Sequence, residues 1–75
     1  MKWNVEFEGA WLTSNDTTRA LQRHGYAVGV FHNDTTDAPS YTLHRKEDKG
    51  YPIVFETNDI HQLNAYVNLL LSSED

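Results

Sequence analysis

Apolar and polar residues alternate in four segments of the chain, with the period of a half-buried β-strand. These segments are residues 2–8, 25–32, 40–46 and 51–57. In the first of them, Trp3, Val5 and Phe7 fall on one side. A helix is the alternative there, because Trp3, Phe7 and Trp11 are spaced by four residues. Val5 lies off that helical face and Gly9 would weaken the helix, so the pattern favours a strand.

The three later segments predict an antiparallel meander over residues 25–57. Turn-forming runs separate them, first NDTTDAPS and then EDKG. The side chains that should share a face within each strand are Tyr26, Val28 and Val30, then Tyr41, Leu43 and Arg45, then Tyr51, Ile53 and Phe55. The last three are expected to face inward. Pro52 lacks a backbone donor, so it is expected at the start of its strand or on a sheet edge.

Two helices are predicted, over residues 15–24 and 60–71. The first follows the candidate N-cap residues Ser14, Asn15 and Asp16, and Gly25 is placed to end it. For the second, Asp59 is the candidate N-cap, and Gln62 three residues later resembles a capping box. Its apolar stripe consists of Ile60, Leu63, Tyr66, Val67, Leu70 and Leu71.

The tetrapeptide NDTT occurs twice, at residues 15–18 and 33–36. It is open to three interpretations: an internal duplication, a pair of N-x-T glycosylation sequons, or residues that mark a helix start or a turn. Asn, Asp and Thr side chains bond nearby backbone groups and therefore serve both helix N-termini and turns. We favour the third interpretation, in which one copy caps the first helix and the other forms the turn of a hairpin.

The elements predict an α+β fold in the order β-α-β-β-β-α. Its small antiparallel sheet has three or four strands, depending on whether the first strand joins, and its helices pack on one face. Residues 1–75 are expected to form one compact domain, with residues 72–75 flexible at its end. Because the chain is short and has no cysteine, its core is small and no disulfide supports it.

Charge and hydropathy narrow the classes of partner. Eleven acidic against six basic residues give a net charge of −5, which disfavours binding to phosphate backbones and to anionic membranes. No apolar run approaches the roughly 20 residues that span a bilayer. The start MKWNVEFEG lacks the apolar core of a signal peptide. We therefore expect a cytoplasmic protein that binds neither nucleic acid nor membrane.

Four histidines raise the question of a metal site, but none of them falls in a compact ligand spacing. Across the predicted hairpin, His32 would lie near Asp34, Asp37 or His44, and His32 and His44 would project from one sheet face. The chain has no cysteine nucleophile, no nucleophile elbow and no phosphate-binding glycine loop. We expect no enzyme, no cofactor and no metal.

The order α-β-β-β-α over about residues 15 to 71 resembles double-stranded RNA-binding domains in topology. Those domains have a lysine-rich start to the last helix, where lysines grip phosphate. Here the corresponding stretch NDIHQLN has no Lys or Arg. The remaining basis for nucleic-acid binding is a hairpin that carries His32, His44, Arg45 and Lys46.

The last helix is the most informative segment, because residues 60–73 contain no Asp, Glu, Lys or Arg. Its stripe covers roughly 140°, more than the roughly 100° that one sheet requires, and Leu69 lies outside it. Either the excess surface binds another protein, or the N-terminal segment covers it with Trp3 and Trp11. The candidate interface residues are Trp11, Tyr41, Tyr66 and Leu69.

These observations predict a small acidic interaction or regulatory module that acts by protein contact, without catalysis, as a homodimer. A further protein partner is compatible with its surface. The alternative is a regulator that binds nucleic acid or metal through the His32, His44, Arg45 and Lys46 hairpin.

Overall fold

A computed structural model of the chain describes residues 2–35 and 37–72. Its elements are β1 (Phe7–Glu8), β2 (Trp11–Leu12), α1 (Asp16–Arg23), β3 (Tyr26–Asn33), β4 (Ala38–Arg45), β5 (Ile53–Thr57) and α2 (Ile60–Leu70). β1 and β2 form a two-stranded sheet, and β3, β4 and β5 form a three-stranded sheet in that order. The predicted α+β class is confirmed. The predicted order β-α-β-β-β-α is one strand short, because two strands precede the first helix. Of the segment expected to be flexible, residues 73–75 lie outside the described residues.

The main error of the prediction concerns the first strand, which was expected over residues 2–8. Only Phe7–Glu8 of that segment is a strand, and it pairs with Trp11–Leu12 in a short antiparallel hairpin. Gly9 turns this hairpin at a positive φ of 62°, which glycine adopts without strain. Residues 2–6 form no strand. Helix side chains bind their backbone, as described below, so this segment does not join the main sheet.

The main sheet is the predicted antiparallel meander. β3 and β4 pair over their full length, from Tyr26 opposite Arg45 to Asn33 opposite Ala38. The second NDTT starts at the end of β3 and enters the turn between these strands, with Thr36 outside the described residues. The first NDTT caps α1. Asn15 accepts a hydrogen bond from the Thr18 N–H, and the Thr18 hydroxyl accepts one from the Asn15 N–H.

The pairing of β4 with β5 contains a β-bulge that sequence reasoning did not anticipate. Leu43 lies opposite Phe55, but the next residue, His44, lies opposite Ile53. The additional residue on β5 moves Ile53 to the other sheet face. The expectation that Ile53 and Tyr51 face inward is therefore wrong, since both are exposed. Phe55 does pack against the core.

The second helix begins as predicted. Asp59 is its N-cap and accepts a hydrogen bond from the His61 N–H at 2.9 Å. The predicted capping box is not formed. The Gln62 side chain accepts a hydrogen bond from the Thr57 hydroxyl at 2.7 Å instead of one from the Asp59 N–H. Pro52 precedes β5 and accepts a hydrogen bond from the Arg45 N–H, in agreement with its expected place at a strand start.

A single small core lies between the helices and one face of the main sheet. Leu43 is its only fully buried strand residue among those described. Both helices supply buried side chains to the same cluster, so both lie on the Leu43 side of the sheet. The buried apolar residues are Trp3, Val5, Ala20, Leu21, Leu43, Leu63, Val67 and Leu71. Burial of Trp3 against the helices shows that the N-terminal segment covers part of the wide apolar arc of α2.

Two asparagines of α2 hold the backbone of the N-terminal segment. The Asn68 side chain accepts from the Trp3 N–H at 2.7 Å and donates to the Trp3 carbonyl at 2.8 Å. One turn earlier, Asn64 accepts from the Val5 N–H at 2.5 Å and donates to its carbonyl at 3.3 Å. Each asparagine amide thus satisfies both polar groups of one residue, as a neighbouring strand would do. We call this pair the asparagine clamp.

The residue between the two clamped positions is bound by the other helix. The Asn4 N–H donates to the hydroxyl of Thr17 at 2.9 Å, and the Asn15 side chain donates to the Asn4 carbonyl at 3.2 Å. Successive residues of an extended chain point their polar groups in opposite directions. Residues 3–5 therefore bridge α1 and α2 while Trp3 and Val5 enter the core.

Replacement of Asn68 by alanine tests the clamp. The change leaves the Trp3 N–H and carbonyl without partners in a partly buried position, so we expect the free energy of unfolding to fall by about 2 kcal/mol. Urea denaturation at a fixed protein concentration measures this difference. Gln22→Ala is the matched control, because it removes an exposed amide from a helix and should change stability by less than about 0.5 kcal/mol. Equal midpoints for the two variants would contradict the clamp.

Candidate interaction surface

Within residues 2–35 and 37–72, no helix covers the second face of the main sheet. Because side chains alternate along a strand, the residues between the core-facing positions point away from both helices. We call this surface the open face; it comprises Ala27, Gly29, Phe31, Ser40, Thr42, His44, Ile53 and Glu56. Phe31 is 57% exposed and Ile53 is 53% exposed. Val54, the additional residue of the bulge, is also exposed.

A hydrogen-bond chain crosses the middle of the open face. The Nδ1 atom of His44 lies 2.9 Å from the Tyr51 carbonyl, which accepts only, so Nδ1 carries a proton. In the neutral imidazole, Nε2 is then the acceptor for the Thr42 hydroxyl, 2.9 Å away. Thr42 is fully buried although it lies on this face. His44 thus covers a buried hydroxyl and ties β4 to the segment before β5.

The histidine pair expected on one sheet face is not formed. His32 belongs to the core-side set of β3, whereas His44 lies opposite Ala27 on the open face. The predicted approach of His32 to two carboxylates is confirmed, at 3.7 Å to Asp34 and 3.4 Å to Asp37. All three side chains are exposed, and such pairs contribute little. Within residues 2–35 and 37–72, no group of three His, Asp or Glu side chains is placed to hold a metal ion.

The basic residues of the hairpin do not form a free cationic patch. The Arg45 guanidinium donates to the Glu47 carboxylate at 2.9 Å and 3.3 Å. This hydrogen bond and the charge of Glu47 raise the pKa of Arg45 above its ordinary value. Lys46 is exposed, and its backbone N–H donates to the Gly25 carbonyl. A carboxylate thus offsets one of the two charges available for phosphate.

The four candidate interface residues occupy two kinds of environment. Trp11 and Leu69 are 81% and 69% exposed. Tyr41 is half-buried on the core side of β4, with its ring centre 5.4 Å from that of Phe7. Tyr66 stacks on the Phe55 ring at 4.4 Å, nearly parallel. The two tyrosines therefore contribute to internal packing, and the two other residues are available for contact.

Sequence reasoning missed the outer edge of β3. The Lys46 N–H bonds the Gly25 carbonyl, and hydrogen-bonded pairs recur at every second residue of an antiparallel ladder. The residues of β3 that bond β4 are therefore the odd-numbered ones, and the backbone groups of the even-numbered ones point outward. We call Tyr26, Val28, Val30 and His32 the β3 edge. In the described part of the chain, no hydrogen bond satisfies these outward groups.

Two hollows lie beside the β3 edge. One, of about 260 Å³, is lined by Leu12 of the hairpin, by Leu21 of α1 and by Tyr26 and Val28 of β3, among others. The other, of about 170 Å³, lies between the hairpin turn at Ala10 and the second half of β3. The hairpin and α1 thus form apolar walls beside the edge. The sequence does contain a signal for such an edge, because YAVGVFHN has no proline, Asp, Glu, Lys or Arg. That signal can be interpreted only once the strand order shows that β3 lies at the edge of the sheet.

The chain matches no protein-family model, no curated protein and no solved structure. Among the described residues, no helix is long and apolar enough to cross a membrane.

Replacement of His44 by alanine tests the polar centre of the open face. The change leaves the Tyr51 carbonyl and the buried Thr42 hydroxyl without this partner, so we expect the free energy of unfolding to fall by about 1–2 kcal/mol. His61→Ala, at an exposed position of α2, should change it by less than about 0.5 kcal/mol. Nitrogen NMR of the neutral imidazole should also show the proton on Nδ1. A proton on Nε2, or equal stability of the two variants, would contradict the assigned hydrogen bonds.

Proposed function

We propose that this chain is a non-catalytic interaction module that acts as a homodimer and whose acidic surface leaves room for a further protein partner. The observation that carries the proposal is the uncovered sheet face with its apolar side chains. Phe31 of β3 and Ile53 of β5 are large apolar residues, each more than half exposed, on this face. Apolar groups left exposed on a sheet face are available for contact with another protein.

The size of the core supports association as well. Among the described residues, the buried apolar cluster has eight members, and two of them, Trp3 and Val5, come from the N-terminal segment that the asparagine clamp holds. A short chain buries a small fraction of its surface and has little stability to spare. This chain has no cysteine, so disulfides contribute nothing. Association of two copies adds burial and stabilises the folded form by mass action.

The alternative function on the hairpin has less support. A metal site would require His32 and His44 to converge, and they lie on opposite faces of the sheet. A phosphate site would require free cations, and Arg45 is paired with Glu47. The net charge of −5 would repel a nucleic acid. These observations favour a protein partner.

We also propose a cytoplasmic location. A chain without cysteine has no need of an oxidising compartment, and small secreted domains commonly depend on disulfides.

Sedimentation of the full chain at low and high protein concentration, each in low and high salt, tests the proposed function. We expect a dimer mass that depends on concentration but little on salt, because salt screens charges and leaves apolar contacts intact. Titrations with a mixed-sequence oligonucleotide and with Zn²⁺ should give no binding and no rise in melting temperature. A strict monomer, oligonucleotide binding that weakens steeply with salt, or stabilisation by Zn²⁺ would contradict the proposal.

A further inference from the structure

We propose that two copies of the chain associate by antiparallel pairing of their β3 edges about a two-fold axis. This pairing joins two three-stranded sheets into one sheet of six strands. The inference rests on the proposed homodimer and names its surface, its register and the residues at its axis.

The two edges of the main sheet differ in their protection against pairing. β5 has five residues, follows a proline, contains a bulge and carries Glu56. Each of these features is a device by which native proteins block the addition of a strand. β3 has eight residues and a regular register, and it contains no proline, Asp, Glu, Lys or Arg. A strand of this length that carries none of these blocking features is unusual at the edge of a sheet in a chain that stays alone, which points to β3 as the pairing strand.

The outward groups of the β3 edge determine the register. Only even-numbered residues offer free N–H and carbonyl groups, so each must pair with an even-numbered residue of the second copy. The register that uses all of them is centred on Gly29. It places Tyr26 opposite His32 of the second copy and Val28 opposite its Val30. These pairs and their symmetry mates form about eight hydrogen bonds, two for each pair.

The open-face residues of β3 complement one another in this register. Gly29 lies opposite Gly29 of the second copy at a pair without hydrogen bonds, where the strands approach to about 4.5 Å between Cα atoms. No side chain obstructs that approach. Phe31 lies opposite Ala27 of the second copy, so a large ring pairs with a small side chain. The exposed Phe31 ring then covers the glycine pair, a contact that stabilises glycine in strands.

The core side of the edge fits the same arrangement. The hollow lined by Leu12, Leu21 and Val28 has a volume of about 260 Å³. In the proposed register, Val30 of the second copy lies beside Val28, at this hollow. An aliphatic side chain suits its apolar walls, and the two-fold axis repeats the contact. Pairing therefore buries apolar groups on both sides of the joined strands.

Proline substitution at the β3 edge tests the pairing. Val30→Pro removes an N–H that points away from β4, so it blocks edge pairing while the β3–β4 ladder is kept. We expect this variant to sediment as a monomer with an unchanged circular dichroism spectrum. Val30→Thr removes the same apolar side chain but keeps the N–H, and it should remain a dimer. Glu56→Pro, at the opposite edge, and Leu69→Glu, on α2, should also leave the dimer mass unchanged.

Disulfide crosslinking tests the register independently of proline. The chain has no cysteine, so single-cysteine variants report one position each. Ala27→Cys mixed with Phe31→Cys should give a mixed disulfide-linked dimer on oxidation. Each variant alone should give little disulfide-linked dimer. The two copies of the same residue lie about 13 Å apart along the strands, which is beyond the reach of a disulfide.

The outcomes separate this inference from the proposed function. A monomeric wild-type chain would overturn both. A wild-type dimer that persists in Val30→Pro, or whose 27 and 31 variants fail to crosslink, would overturn the β3 pairing and leave the homodimer standing. Dissociation by Leu69→Glu with retained folding would move the interface to α2. Should Val30→Pro fail to fold, the crosslinking result alone decides.

Discussion

The fold depends on how the backbone of residues 3–5 is satisfied. An extended segment that brings Trp3 and Val5 into the core also brings polar N–H and carbonyl groups, and no strand of the described chain pairs with it. Unpaired groups of this kind cost free energy comparable to that of the hydrogen bonds they lack. Asn64 and Asn68 supply the missing partners from α2, while Thr17 and Asn15 supply them from α1. The segment therefore fixes the two helices relative to each other, and through them it positions the core.

This arrangement places all covering elements on one side of the sheet. Both helices and the N-terminal segment contribute buried side chains to the cluster around Leu43. Among the described residues, His44 shields part of the other side by binding Thr42. The open face and the β3 edge therefore both result from this one-sided arrangement.

Local signals predicted the local elements well. Asp59 caps α2 as predicted, and Asn15, one of three candidates, caps α1. The alternation from Tyr26 to Phe55 predicted three strands in the right order. The errors arose where distant contacts decide. The bulge beside His44 depends on the pairing of β4 with β5, and the clamp depends on residues about 60 positions apart meeting in space. Asn64 and Asn68 carry no local signal for this role. Of the four candidate interface residues, Tyr66 and Leu69 lie on α2, and the Tyr66 ring stacks on that of Phe55.

Gly29 connects the interior of one copy with the proposed axis. A Cβ atom at this position would lie 3.3 Å from the Thr42 hydroxyl, so glycine already relieves crowding within the sheet. The buried Thr42 and the His44 ring fill the space beside it on the open face. Glycine in the middle of a strand ordinarily weakens it, and here the weakness lies at the centre of an edge with no charge to defend it. The glycine that relieves crowding beside Thr42 inside one copy is thus also the residue at which the proposed pairing requires the two strands to approach most closely.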